Sequence, residues 1–361
     1  MIRLVIGLGC LGAAFAVGYA FDNWNVPLAW VLGPLVATAA LSMSGVQTPT
    51  SEPTRRFGQL VIGIGLGLNM SAALVLGALP LVPLMLAAAF AAVMVTSFFS
   101  VFLAVAGRID RLTAYLAMMP GGLSEMANIG ARAGARAEPI AIGQAIRLAL
   151  VVLLLPPAIL ALGITGEFLL LDAARALPLP HVLALFPVGL CGVWAMRKLG
   201  AANPWLLGGL IATGLIASFD LVSGQLPAWL FNTGQFLLGI ATGARFRRDI
   251  LGRLPRLALL MSLCILVIGV VLFGAGWLVS LLSGLDLATA ALATSAGGVA
   301  EMALTAKFLQ LNVALILAFH VLRAFLVNGF AIQLYNVLSR IRYFDGVGWV
   351  AAALLGGRHR G

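Results

Sequence analysis

Asp110-Arg-Leu-Thr-Ala-Tyr-Leu-Ala-Met-Met-Pro-Gly-Gly-Leu-Ser-Glu-Met-Ala127 recurs 176 positions later as Asp286-Leu-Ala-Thr-Ala-Ala-Leu-Ala-Thr-Ser-Ala-Gly-Gly-Val-Ala-Glu-Met-Ala303, identical at ten of eighteen positions. Each copy sets a Gly-Gly pair three residues before a carboxylate: Gly121-Gly122 before Glu125, and Gly297-Gly298 before Glu301. Further blocks keep nearly the same offset. Residues 29–38 match 204–213 at six of ten positions, residues 58–67 match 234–243 at five of ten, and Arg147 pairs with Arg323. The chain reads as a duplication: 1–165 is the first repeat, 166–180 a linker, 181–345 the second repeat and 346–361 a basic C-terminal tail.

A chain of 361 residues that is 62% hydrophobic, 9% charged and has a mean hydropathy of +1.08 cannot hide its apolar surface in a soluble core of ordinary proportions. The expectation is an all-α polytopic membrane protein, because only helices or closed barrels satisfy their backbone inside a bilayer. Apolar runs near 3–21, 27–44, 57–78, 80–106 and 138–162, then 182–199, 204–219, 228–244, 255–282 and 312–338, give about ten transmembrane helices, five per repeat. The Gly-Gly segments, near 112–134 and 287–307, add one broken or re-entrant helix to each repeat. The net charge of +10 sits in short clusters between apolar runs, the footprint of the positive-inside bias, so no nucleic-acid partner is expected. Cys10, Cys191 and Cys264 are odd in number and form no CxxC, which suggests neither disulfides nor a thiolate metal site. Residues 1–20 mimic a signal peptide but run straight into further hydrophobic segments, and are read as an uncleaved first span.

Loop charges indicate that the repeats are inverted. Arg55 and Arg56 follow the second span, whereas only Asp220 follows its partner. Nothing basic follows the third span, yet Arg245, Arg247, Arg248, Arg253 and Arg256 follow its counterpart. Arg108 and Arg111 follow the fourth, and only Asp286 follows its partner. Inversion needs an odd number of crossings per repeat, which five spans supply if each Gly-Gly segment returns to its own side; a fully crossing broken helix with one span miscounted is the alternative. The first count puts both termini in the cytoplasm, with Lys307 and Arg175 as exceptions.

A helix is interrupted within a bilayer only where protein or a water-filled cavity satisfies the freed backbone groups. Pro120-Gly121-Gly122 cannot continue a regular helix, since Pro removes a donor and glycines favour bends. Paired interruptions in two inverted halves point to the binding site of a secondary transporter. The short helix after each Gly-Gly pair would present free N–H groups and its positive dipole end, with Glu125 or Glu301 in the first turn. These carboxylates either cap their own helices or carry an ion or proton. Arg147 and Arg323 lie in the middle of apolar spans and need partners. Structural Arg–Glu pairs are one reading; an anionic substrate held by the guanidinium groups, with the glutamates carrying the coupling proton or cation, is the other. Gln144 and His320 precede these arginines at equivalent positions and are accessory candidates. Asn128, opposite Leu304, and Asn69, opposite Arg245, are asymmetric accessory candidates.

With these blocks the chain resembles the AbrB family of bacterial membrane proteins, defined by a duplicated hydrophobic domain, over nearly all of residues 1–345. Family members are catalogued as ammonia monooxygenases or as regulators of gene expression. A copper monooxygenase needs clustered imidazoles, and His181, His320 and His359 are scattered along the chain. A DNA-binding regulator needs a soluble reading element, for which no segment is long enough. More loosely, Gly65-Leu-Gly-Leu-Asn-Met70 followed by Pro120-Gly-Gly and Ser124 is similar to the bile-acid symporter and cation/proton antiporter group, whose inverted repeats contain broken crossover helices. Where those symporters follow Pro-Gly-Gly with Ser-Asn, this chain has Ser124-Glu125, and Ala296 replaces the proline in the second copy. The resemblance therefore implies transport with proton coupling at least as readily as sodium coupling.

The expected function is secondary transport of a small solute across the bacterial inner membrane, with the lipid bilayer and a coupling proton or cation as partners. No enzymatic activity, cofactor or metal is expected. The alternative is a membrane-embedded sensor with an indirect effect on gene expression.

Overall fold

A computed structural model describes residues 2–46, 48, 50–70, 76–163, 176–201, 203–246 and 254–354. Arg175, Arg247, Arg248, Arg253, the Arg358-His359-Arg360 tail and most of the 166–180 linker lie outside the described residues. The first copy forms α1 (Ile2–Asn23), α2 (Ala29–Met43), α3 (Glu52–Gly67), α4 (Val82–Gly107), α5 (Arg111–Met118), α6 (Leu123–Arg132) and α7 (Ala137–Ala161). The second forms α8 (Leu179–Lys198), α9 (Pro204–Ser218), α10 (Ala228–Gly243), α11 (Pro255–Ser283), α12 (Leu287–Thr294), α13 (Val299–Phe308) and α14 (Val313–Arg340), and α15 (Tyr343–Leu354) follows. No strand occurs among the described residues. The molecule is an all-α polytopic membrane protein.

Six helical stretches are long and apolar enough to cross a bilayer: Ile6–Asn23, Leu76–Gly107, Ala137–Ala161, Leu179–Lys198, Pro255–Ser283 and Val313–Arg340. The other four candidate spans, α2, α3, α9 and α10, are helices of 15 or 16 residues. At about 1.5 Å per residue they reach roughly 22–24 Å, less than a hydrocarbon layer of about 30 Å. The single span expected over 57–78 is corrected. α3 starts earlier, at Glu52, because the Ser51 hydroxyl accepts the Thr54 N–H (3.3 Å) and Pro53 suits a first turn, and it ends at Gly67. Hydropathy located the apolar middle of this helix, whereas cap chemistry set its start.

The chain divides into two compact units that do not follow the sequence repeats. One unit comprises Met1–Leu81, Val152–Asp249 and Val299–Ala318; the other comprises Val82–Val151, Ile250–Gly298 and Phe319–Gly361. Each takes helices from both copies.

In the first unit small residues bring the two copies into backbone contact, and the closest of these contacts come in exchange pairs. A Cβ on Gly63 would strike the Leu206 carbonyl, and a Cβ on Gly239 the equivalent Val31 carbonyl. Gly67 lies against Leu210, Thr213 and Gly214, as Gly243 does against Leu35, Thr38 and Ala39. Thus α3 packs on α9 as α10 packs on α2. The two glycines Gly58 and Gly234, equivalent by sequence, face each other, which places a local two-fold axis between them. Along α3 from Gly58 to Gly65 the neighbour on α10 runs backwards from Leu238 to Phe231, so these equivalent helices are antiparallel. Antiparallel equivalents are what inverted copies require. Without a strong hydrophobic drive between helices in lipid, such small-residue approaches supply van der Waals contact.

The second unit packs α4 on α11 and lays the short α5 and α12 along them. A Cβ on Gly276 of α11 would meet the Ala291 backbone, and the Thr294 hydroxyl donates to the Leu272 carbonyl (3.1 Å). Outward-facing Val270, Leu281 and Leu282 of α11 are 63–73% exposed, a surface that suits lipid.

Gly63→Leu and Gly239→Leu are expected to force α3 off α9 and α10 off α2, with a loss of about 1–3 kcal/mol or outright failure to fold, read as lowered thermal stability in detergent. Single cysteines at Arg56 and Ala78 are expected to be labelled from opposite sides of the membrane, and those at Asp220 and Arg245 in the reverse order.

Candidate functional site

Each Gly-Gly element is two short helices with an extended link. Asp110 caps α5 and Asp286 caps α12, each carboxylate accepting the N–H three residues on, from Thr113 and Thr289, at 2.8 Å. The first arms then stop after eight residues, because Met119 (φ −55°, ψ 135°) and Ser295 (φ −57°, ψ 151°) turn extended. Pro120 accounts for the first break, since a residue before proline disfavours the helical region. Ala296 stands at the equivalent place in the second copy, so proline is not what both breaks share.

What they share is arginine. Arg147, 2% exposed on α7, donates from Nη1 to the Met119 carbonyl (2.5 Å) and from Nη2 to the Gly121 carbonyl (2.7 Å). Arg323, 4% exposed on α14, donates from Nη1 to the Ser295 carbonyl and from Nη2 to the Gly297 carbonyl (2.6 Å). All four acceptors correspond at the offset of 176. The planar fork suits two carbonyls two residues apart, and its charge sits at the negative end of the first arm's dipole. Gln144 adds Nε2–H bonds to the Leu116 and Met119 carbonyls (both 2.8 Å). His320 contacts the Leu292 carbonyl through Nε2 (2.9 Å), and since a carbonyl only accepts, Nε2 carries the hydrogen. The long helix after each broken element, α7 or α14, therefore braces the carbonyls the break sets free.

The second arms begin at Leu123 and Val299. Gly122 is the N-cap of α6, and Glu125, half-buried, folds back so that a Cβ on Gly122 would collide with its Oε2. That is the posture of a third-position carboxylate covering its own helix start. A Cβ on Gly121 would meet the fully buried Met126, so the absent side chain is what admits this methionine. The Gly122 N–H donates to Asn328 Oδ1 on α14 (3.3 Å).

The structure thus gathers Gly121, Gly122, Glu125, Asn128, Gln144, Arg147, Gly297, Gly298, His320 and Arg323 in the second unit, whereas Asn69 and Glu301 belong to the first. Asn128 is exposed. Asn69 Nδ2 donates to the Gly65 carbonyl (2.7 Å), finishing its own helix. Glu301 is buried, and its carbonyl accepts the Thr305 hydroxyl (2.9 Å). Lys307, the exception to the charge count, lies over the Phe231 ring at 4.3 Å. The sequence reading named the arginines but not their carbonyl acceptors, and it passed over Asn328. An amide within the apolar run 312–338, five residues after Arg323, was the available signal. Among the described residues no three His, Cys, Asp or Glu side chains cluster as metal ligands.

Arg147→Gln and Arg323→Gln are each expected to lower stability by about 2–4 kcal/mol, because two buried carbonyls lose a charged donor. Lysine at either position, a point charge without a fork, is expected to restore only part of it. Pro120→Ala, which recreates the second copy's sequence, is expected to cost less than about 1 kcal/mol. Thermal unfolding of the purified variants checks all three.

A family model described as transition state regulatory protein AbrB matches residues 30–339. An "Uncharacterized protein YhjN" of Bacillus subtilis (strain 168) is 24% identical over 374 aligned residues, covering 94% of each chain. A protein named "Putative regulator AbrB" in Escherichia coli (strain K12) is 25% identical over 313 residues, covering 83% of this chain and 87% of its own. No solved structure matches the chain. The duplicated helical framework and the match across most of its length agree: the chain belongs to the AbrB family.

Proposed function

We propose that the protein is a secondary transporter of a small solute in the bacterial cytoplasmic membrane, with both termini in the cytoplasm. The observation that carries this reading is the pair of helix breaks, each stabilised by a buried guanidinium from the long helix after the broken element. A transmembrane protein that keeps two charged groups and two unwound segments in its interior maintains a polar zone that lipid packing alone does not call for. The N-terminal turn of each second arm, at the positive end of its helix dipole, suits an anionic group of the solute. Glu125 and Glu301, one in each such turn, are assigned the coupling proton or cation, and transport alternates the exposure of the Gly-Gly breaks. No covalent chemistry and no cofactor enter this scheme.

A regulatory role is the second reading, favoured by the name given to the Escherichia coli relative. In that reading solute binding persists without transport and its effect on gene expression is indirect.

The test begins with a thermal-shift screen of the purified protein against small acids, bases and inorganic ions across pH, because a ligand of the folded state raises stability. The stabilising solute is then assayed for uptake into proteoliposomes. Glu125→Gln and Glu301→Gln are expected to fold as the wild type does while uptake falls roughly tenfold or more, the scale of a coupling free energy of about 1–3 kcal/mol. Unchanged uptake in both variants would refute the assignment; binding without any uptake by the wild type would favour the regulator.

A further inference from the structure

In the first unit a cavity of about 350 Å³ is lined by Leu190, Val193, Trp194, Arg197, Lys198 and Trp205. Three helix ends meet its polar side. Arg197 and Lys198 are the last two residues of α8, Trp205 is in the first turn of α9, and Arg56, the fifth residue of α3, holds its guanidinium 5.8 Å from the Trp205 ring centroid. Lys198 Nζ lies 4.1 Å from the Trp194 ring. The starts of α3 and α9 add positive dipole ends to three cations.

The only carboxylate among the described residues paired with any of these cations is Glu52, and it is shared: it takes Arg55 at 2.5 Å and Arg56 at 3.3 Å. Hydrogen bonding to Arg55 holds the Glu52 carboxyl below its usual range, so it stays ionised and offsets one of those two charges. Arg197 and Lys198 have no carboxylate partner among the described residues. The cavity therefore keeps an excess of positive charge.

Its other side is apolar and continuous with a stripe along α8. Leu179, Leu183, Leu190 and Trp194, spaced four, seven and four residues apart, share one helix face and are 47–62% exposed. The stripe runs the length of the helix to its basic end, which the loop charges assign to the cytoplasm. Tryptophan and cations at the end of an apolar helix face match the headgroup level of a bilayer.

We infer that this cavity binds an anionic phospholipid of the cytoplasmic leaflet, with the phosphate between Arg197, Lys198 and the Trp205 edge and an acyl chain along the Leu183–Leu190–Trp194 stripe. A free phosphate ion shares the headgroup chemistry but makes no use of the stripe. The inference is independent of what, if anything, the protein transports.

The test measures thermal stabilisation of the detergent-purified full chain by phosphatidylglycerol, by phosphatidylcholine with the same acyl chains, and by inorganic phosphate. Phosphatidylglycerol is expected to stabilise and the other two are not. The double variant Arg197→Gln/Lys198→Gln is expected to bind phosphatidylglycerol about 25-fold more weakly, roughly fivefold for each cation lost. Arg340→Gln/Arg342→Gln, which removes the same charge elsewhere, is expected to bind as the wild type does. Quenching of tryptophan fluorescence by brominated-chain phosphatidylglycerol, seen with the wild type and reduced in Trp194→Phe, supplies a readout that does not depend on the double variant folding. Equal stabilisation by phosphatidylcholine, equal stabilisation by inorganic phosphate, an equal loss in the distant double variant, or unreduced quenching in Trp194→Phe would each overturn the proposal.

Discussion

Two forked hydrogen-bond pairs, Arg147 on the carbonyls of Met119 and Gly121 and Arg323 on those of Ser295 and Gly297, make the helix breaks possible. An unwound segment at membrane depth exposes carbonyls that lipid cannot satisfy. Water would satisfy them but leave the segment loose, whereas an apolar side chain would leave them bare. A guanidinium presents parallel donors in a fixed plane, and its charge lies at the dipole's negative end, where part of the cost of burial is offset. The glycines complete the arrangement by removing side chains that would block it. Gly121 makes room for Met126, and Gly122 leaves space for the returning Glu125 carboxylate.

The two breaks share this frame and differ in detail, which separates what the frame requires from what has drifted. The forked arginines are common to both, and so are the capping Asp110 and Asp286 and the fully buried Met126 and Met302. The proline is not. Gln144 makes two close carbonyl bonds where His320 makes one, and Asn328, which holds the Gly122 N–H, has Val152 as its counterpart in the first copy. The two breaks are thus chemically lopsided even though their backbone scaffold is duplicated.

Duplication, helix breaks and mid-span arginines were legible in the sequence because each is written in residue identity: repeated letters, glycines, and charges where apolar residues belong. The acceptors of Arg147 and Arg323 were not. Every residue carries a carbonyl, so sequence offers no mark for those an arginine will find, whereas Glu125 and Glu301 stand out as opposite charges. Helix limits were blurred for a related reason. Hydropathy found the apolar middle of α3 but not its start at Ser51, where one hydroxyl outweighs the polarity of Glu52, Arg55 and Arg56. The recurring Asp-x-x-Thr at 110–113 and 286–289 was visible as identity, yet Asp286 was read only as a loop charge and neither aspartate as a cap.

The interleaving of the copies was the least legible feature, and it follows from the contacts of the short helices. α3 buries Gly63 and Gly67 against α9, and α10 buries Gly239 and Gly243 against α2, so each copy supplies the surface that the other's small residues need. Neither copy contains that surface itself. A helix of about 23 Å with a glycine-lined face would leave backbone poorly covered if it stood alone in lipid, and the antiparallel approach of α3 and α10 at Gly58 and Gly234 relates the two halves as exchange partners. Hence a single repeat does not cover its own small-residue faces, and the first unit as it stands draws on both copies.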